Sequence, residues 1–132
     1  MTYLLDTNTC IRYINGRAPQ IRERMRLILD SEIAISTITM GEMLTGSAKS
    51  LQPTQSRARQ EVFFSRFAKF SFDEESAYEF GRIRAYLEQR GTTIGPYDMQ
   101  IASIAIVNGL TVVTHNISEF GGVLGLTVED WE

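Results

Sequence analysis

The chain has 132 residues, 43 % hydrophobic and 22 % charged, a balance that suits one folded domain over 1–132 and excludes low complexity and disorder. Its formal net charge of −3 excludes a uniformly basic nucleic-acid coat. A single cysteine, Cys10, and a single histidine, His115, exclude a disulfide framework, a multi-cysteine zinc site and a histidine metal cluster.

The elements follow in chain order. Tyr3-Leu4-Leu5 is a short apolar run that reads as a buried strand. Asp6 to Thr9 are cap-type residues, and Cys10 to Ile14 reads as helix, stopped by Gly16. Pro19 suits the first turn of a second helix, over 19–30, with Ile21, Met25, Ile28 and Leu29 as its apolar face. Ile33-Ala34-Ile35 is a second strand. A helix follows from Ser36 and Thr37 to about Gly46, then a polar loop over 47–56. The next helix runs from Gln55 to Phe67, with Val62, Phe63 and Phe67 as its stripe. Phe70-Ser71-Phe72 alternates like a strand. Asp73 caps a helix to about Gln89, and Pro96 opens another to Asn108. Leu110 to Thr114 is a β-branched strand, a Gly121-Gly122 loop follows, and Leu126-Thr127-Val128 is the last strand. Short strands separated by helices predict an α/β fold with a central, mostly parallel sheet of four to five strands. Ligands of such sheets bind beyond the carboxyl ends of the strands. No apolar run reaches the roughly 18 residues that span a bilayer, and no signal-like segment opens the chain, so a cytoplasmic protein is expected. Cys10, beside Ile11, reads as a buried structural thiol.

Acidic residues fall at the functional edge. Asp6 follows the first strand, Glu42 lies a turn into a helix, Asp98 lies in the first turn of another, and Asn116 follows the β-branched strand. Each has a local explanation: Asp6 as a helix cap, Glu42 as a capping box with Thr39, Asp98 as a dipole complement. Together they point elsewhere. Glu42 sits among Met40, Gly41, Met43 and Leu44, and Asp98 precedes Ile101, Ala102 and Ala105. Carboxylates converging in an apolar cleft repel one another, and a divalent cation relieves that. Oxygen donors favour Mg²⁺ or Mn²⁺ over zinc.

The chain resembles a PIN-domain ribonuclease, more narrowly a VapC-type toxin of a bacterial toxin–antitoxin pair. Leu4-Leu5-Asp6-Thr7-Asn8, Ile35-Ser36 with Glu42 and Gly46, Ile94-Gly95-Pro96-Tyr97-Asp98, Val113-Thr114-His115-Asn116 with Glu119-Phe120, and Glu129-Asp130-Trp131 carry the resemblance. It implies a PIN-like fold and a metal-dependent endoribonuclease acting on structured RNA, in a tRNA or ribosomal RNA loop, with the tRNA anticodon stem-loop favoured. It implies metal ligation by Asp6, Asp98 and Glu42, with Asn116 at a fourth position that is often aspartate. It also implies that Asn8 and Thr114 orient these groups, that a cognate VapB-type antitoxin covers the site with a basic tail, and that the chain forms a homodimer; Glu119 reads as a surface-loop glutamate or as a helper acid. The helices at 19–30 and 55–68 are candidate dimer surfaces or core. The alternative is a non-catalytic PIN-like module that binds RNA or protein, which Asn116 favours.

Arginine supplies 11 of the 13 basic residues. Residues 1–70 carry 10 basic and 6 acidic side chains, residues 71–132 carry 3 and 10. Arginine grips phosphate in a forked geometry. Arg12 and Arg84 are the leading RNA contacts, with Arg17, Arg82 and Arg90 as further rim candidates.

Overall fold

The computed structural model describes residues 1–132. Strands β1 (Tyr3–Leu5), β2 (Ile33–Ser36), β3 (Ala68–Phe70), β4 (Thr111–Val113) and β5 (Thr127–Glu129) form one sheet in the order β3-β2-β1-β4-β5. Every neighbouring pair is parallel, with Leu4 beside Ala34 on one side and Val112 on the other. A parallel sheet needs both faces covered. Helices α1 (Thr7–Ile14), α2 (Pro19–Arg26), α3 (Thr37–Ala48) and α4 (Pro53–Ser65) precede β3. Helices α5 (Glu74–Arg90), α6 (Pro96–Val107) and α7 (Ile117–Phe120) follow it.

The sheet divides the core in two. Leu4, Ala34 and Val112 pack with Ile83, Leu87, Ile101 and Ile104 of α5 and α6. Leu5, Ile33, Ile35 and Val113 pack with Cys10, Ile21, Met25, Met43 and Phe63 of α1 to α4. Successive strand residues point to opposite faces, so each central strand serves both halves. The expected α/β architecture with a parallel sheet is what the chain adopts.

Several boundaries differ from the sequence reading. The second helix ends at Arg26, not near residue 30. The chain then turns through a 3₁₀ segment at Asp30–Glu32, and Leu27 and Leu29 are exposed. On α4, Val62 points outward, and the inward side is Gln60, Phe63 and Phe64. The apolar faces of α2 and α4 are therefore core, leaving Leu27, Leu29 and Val62 as what these regions expose. The third strand is Ala68–Phe70 rather than 70–72, and the last is Thr127–Glu129. α3 runs past Gly46 to Ala48, shortening the expected loop, and a one-turn helix, α7, occupies part of the glycine loop.

Strand order reverses at β1, with β2 on one side and β4 on the other. The crevice between the carboxyl ends of β1 and β4 is where ligands of such sheets bind. Asp6 and Asn116 follow these two strands.

Candidate active site

Asp6 leaves β1 in an extended conformation and caps α1, its Oδ1 accepting from Thr9 N at 2.8 Å. Its own N–H bonds Val113 O at 3.0 Å, which ties the residue to β4. The side chain is almost wholly buried. Burial raises its carboxyl above the ordinary range, hydrogen bonds from Thr114 and Thr9 work against that, and the charge of Glu132 adds to the rise. Thr114 is buried, and its Oγ1 also accepts from Asn116 N at 2.9 Å. The structure thus gives Thr114 a hydrogen-bonding place between Asp6 and the Asn116 backbone. Asn8 differs from expectation: it is exposed, makes no side-chain hydrogen bond, and lines the cavity next to Asp6.

Glu42 is half-buried on α3. Ser36, not Thr39, is the cap of this helix, with Oγ accepting from Thr39 N at 3.0 Å. The capping-box explanation of Glu42 therefore fails. Glu42 Oε1 instead accepts from Thr7 Oγ1 at 2.6 Å. Thr7 meets Thr39 at 3.1 Å, and Thr39 meets Ser36 at 3.2 Å. This buried hydroxyl chain fixes Glu42 relative to Asp6, because Thr7 is the next residue along. Thr7 and Thr39 escaped the sequence reading, although Thr7 lies inside the Leu-Asp-Thr-Asn run.

Asp98 is half-buried in the first turn of α6. The helix dipole there favours a negative charge, yet its carboxyl is pushed up to about 6. Burial is the main cause, and the charges of Asp6, Glu119 and Glu42 add to it. Asp6, Glu42 and Asp98 therefore share one electrostatic field, and Glu119, exposed on α7, belongs to it too. The donor oxygens of Asp6, Glu42 and Asp98 are not all within 4.8 Å of one another. An ion that retains several waters suits a set spread this way, and Mg²⁺ binds so.

A cavity of about 400 Å³ opens at Asp6, lined also by Asn8, Ile11, Arg12, His115 and Asn116. Asn116 is half-buried at its edge, its Oδ1 accepting weakly from Ser118 Oγ at 3.4 Å. Glu42 stands between two further cavities. One, of about 300 Å³, is bordered by Thr37, Gly41 and Tyr97, a residue 55 % exposed. The other, of about 220 Å³, lies among α1, α3 and α4 and is lined by Gln60 and Arg59. Gln60 Nε2 donates to Met43 O at 2.9 Å, while its buried Oε1 has no partner.

The arginines divide. Arg12 is at the Asp6 cavity but holds Glu132, with Nε to Oε1 at 2.8 Å. Arg84 is paired loosely with Glu88 at 3.8 Å over the Phe80 ring and does not line that cavity. Arg82 is tied to Glu79 and to Leu124 O, and Arg90 lies over Tyr86. Arg17 is exposed. Burial, with the charge of Asp6, pushes the Cys10 thiol well up, so it is an inert core thiol.

Known proteins are similar to this chain in sequence and fold. A family model described as PIN domain matches residues 3–120. The tRNA(fMet)-specific endonuclease VapC of Salmonella typhimurium is 44 % identical over 131 residues, covering 99 % of this chain and 98 % of that protein. Ribonuclease VapC2 of Rickettsia felis is 36 % identical over 133 residues, covering 100 % and 99 %. The crystal structure of DNA-bound VapBC from Salmonella typhimurium superposes with a TM-score of 0.94 at 42 % identity, covering 100 % of this chain and 99 % of that one. No helix here is long and apolar enough to cross a membrane. The match along nearly the whole chain shows that it belongs to the PIN-domain family, in its VapC branch.

Proposed function

We propose that the protein is a Mg²⁺- or Mn²⁺-dependent endoribonuclease, the toxin of a VapBC-type pair, that cuts tRNA within the anticodon stem-loop. The observation that carries this reading is the gathering of Asp6, Glu42 and Asp98 beyond the carboxyl ends of the central strands, where burial, with the neighbouring carboxylate charges adding to it, raises Asp98 to about 6. Acids crowded in this way are suited to a cation. Asp6, Asp98 and Glu42 would hold it, with the Asn116 amide as a neutral oxygen donor. When bound, the ion supplies Lewis-acid activation of a scissile phosphate and of a water.

The chain's own residues do the rest. The Asp6 cap and the Thr7–Thr39–Ser36 chain hold two carboxylates without further ordering cost. Glu119, exposed on α7 and near enough for its charge to act on Asp98, can accept the proton of an attacking water at the cleft edge. Arg12 offers a guanidinium for a flanking phosphate. Tyr97, exposed beside the Glu42 cavity, offers a ring on which an unpaired base stacks. The tRNA target rests on the named activity of the Salmonella typhimurium relative. The VapBC complexes among the structural neighbours support a VapB-type antitoxin as partner. The small cavity beside Glu42, with the donor-seeking Gln60 oxygen, suits a peptide that brings N–H groups and a cationic end. A homodimer and a cytoplasmic location belong to the same reading.

Incubation of the purified protein with total RNA and Mg²⁺ or Mn²⁺, followed by mapping of new 5′ ends, tests it. Cleavage focused on a tRNA anticodon loop and abolished by Asp6→Asn is expected. Cleavage undiminished in Asp6→Asn overturns the site.

A further inference from the structure

A second group of donor atoms stands at the rim of the Asp6 cavity, on residues that the proposed nuclease chemistry does not use. His115 follows β4, while Asp130 and Glu132 follow β5. The pairing of Val113 with Glu129 brings the two chain ends together. His115 Nδ1 lies 3.0 Å from Asp130 Oδ2 and 3.9 Å from Glu132 Oε2. One donor from each residue falls within 4.8 Å of the other two. Ligands about 2.0–2.2 Å from a common ion have donor atoms roughly 3–4 Å apart, so the spacing fits one ion.

Glu132 supplies an independent observation. Its side chain is only 10 % exposed. Oε1 accepts from Arg12, but Oε2 is buried without a hydrogen-bond partner. A buried carboxyl oxygen without a hydrogen-bond partner is unfavourable even where the other oxygen of the group is satisfied, and this one faces the imidazole at 3.9 Å. Asp130 uses Oδ1 to accept from Glu132 N, which fixes its orientation and leaves Oδ2 toward His115. The His115 side chain is 65 % exposed, which leaves an entry path.

We propose that His115, Asp130 and Glu132 form a binding site for one divalent transition-metal ion of the Zn²⁺ class, separate from Asp6, Glu42 and Asp98. One imidazole with two carboxylates selects such ions over Mg²⁺, which prefers oxygen and water. The ion takes the place of the His115–Asp130 hydrogen bond and satisfies Glu132 Oε2, while Arg12 keeps Oε1. Glu132 is near enough for its charge to act on Asp6. Occupancy here therefore changes the field at the nuclease carboxylates without sharing their ligands.

His115 is the sole histidine, so its ring resonances report the site directly. Zn²⁺ is titrated into the metal-free full chain and into Asp6→Asn/Asp98→Asn, with NMR of the imidazole and calorimetry as readouts. Equimolar Zn²⁺ is expected to shift the ring signals in both proteins, and millimolar Mg²⁺ to leave them in place. Glu132→Gln and Asp130→Asn, each a nearly isosteric change, are expected to weaken Zn²⁺ binding at least about tenfold in the double-variant background. Ring signals unmoved by Zn²⁺, or an affinity unchanged in both Glu132→Gln and Asp130→Asn, overturn the proposal. Because the readout persists when Asp6 and Asp98 are gone, it does not depend on whether the protein cleaves RNA.

Discussion

Burial holds Asp98 protonated into a pH range where a surface aspartate is charged, and Asp6, Glu119 and Glu42 extend that range. With its carboxyl raised from 3.8 to about 6, the folded chain keeps a proton that the unfolded chain has released. The group's stabilising contribution is full below the unfolded value and is lost as pH rises through the folded one. A shift of about two units corresponds to ~3 kcal/mol in a fully shielded group. Screening at this half-buried position reduces that to roughly 1 kcal/mol. Asp98→Asn is therefore expected to raise unfolding free energy by about that amount near pH 8 and by nothing near pH 3.5, as urea titrations at the two pH values will show. Saturating Mg²⁺ reverses the order near pH 8, because only the wild type gains binding energy from the ion. A variant no more stable than wild type near pH 8 without metal would refute the burial argument.

At the level of elements, Asp6 is both a carboxylate of the cleft and the cap of α1. The two roles separate by substitution. Asn caps a helix about as well as Asp, whereas Ala costs about 1 kcal/mol. Asp6→Asn and Asp6→Ala are both expected to abolish cleavage, but only Asp6→Ala to lower the melting temperature. Equal melting temperatures would show that the Thr9 bond contributes nothing. Helix α4 makes a similar division. Phe63→Ala empties the core between α4 and the sheet and costs about 3–5 kcal/mol, while Val62→Ala, at an exposed position, stays within about 0.5 kcal/mol. The sequence reading placed Phe63 correctly and misassigned Val62, for a physical reason. Gln60 reads as polar, yet it faces inward because Nε2 finds Met43 O. With Gln60 inward, positions 60, 63, 64 and 67 form the buried stripe and Val62 turns out. The central strands were legible because β-branched and leucine runs have no other place in a chain this short. β3, with Ala68 and Lys69 exposed at the sheet edge, carries little apolar signal, and its boundary slipped toward the nearby phenylalanines. Asp6, Glu42 and Asp98 stood out against apolar neighbours. The hydroxyl chain through Thr7 and Thr39 did not, because Thr7, 32 residues from Thr39 and 35 from Glu42, meets them only once α1 and α3 pack.

For the molecule as a whole, a net charge of −3 has to be reconciled with a polyanionic substrate. Ion pairing makes the difficulty sharper than the totals suggest. Arg24 is engaged by Glu129, Arg57 by Glu61, Arg66 by Asp30 and Arg82 by Glu79. With Arg12–Glu132 and Arg84–Glu88 they engage six of the eleven arginines, and of the whole set only Arg12 lines the Asp6 cavity, so RNA binding draws on a small number of contacts around the cleft. The salt dependence measures that number, because each phosphate neutralised on a single strand contributes about −0.7 to the slope of log K against log salt. Binding of an anticodon stem-loop to Asp6→Asn, followed by fluorescence anisotropy, is expected to give a slope shallower than about −3, that is, roughly four contacts or fewer. Arg12 is the test within that set, since it borders the Asp6 cavity while holding Glu132. Arg12→Ala removes one contact and should make the slope shallower by about 0.7 for every RNA tried, because a phosphate contact carries no base preference. Arg84, held over Phe80 away from that cavity, should leave the slope unchanged when replaced by Ala. If Arg84→Ala moves the slope and Arg12→Ala does not, the RNA runs along α5 rather than across the carboxyl ends of β1 and β4.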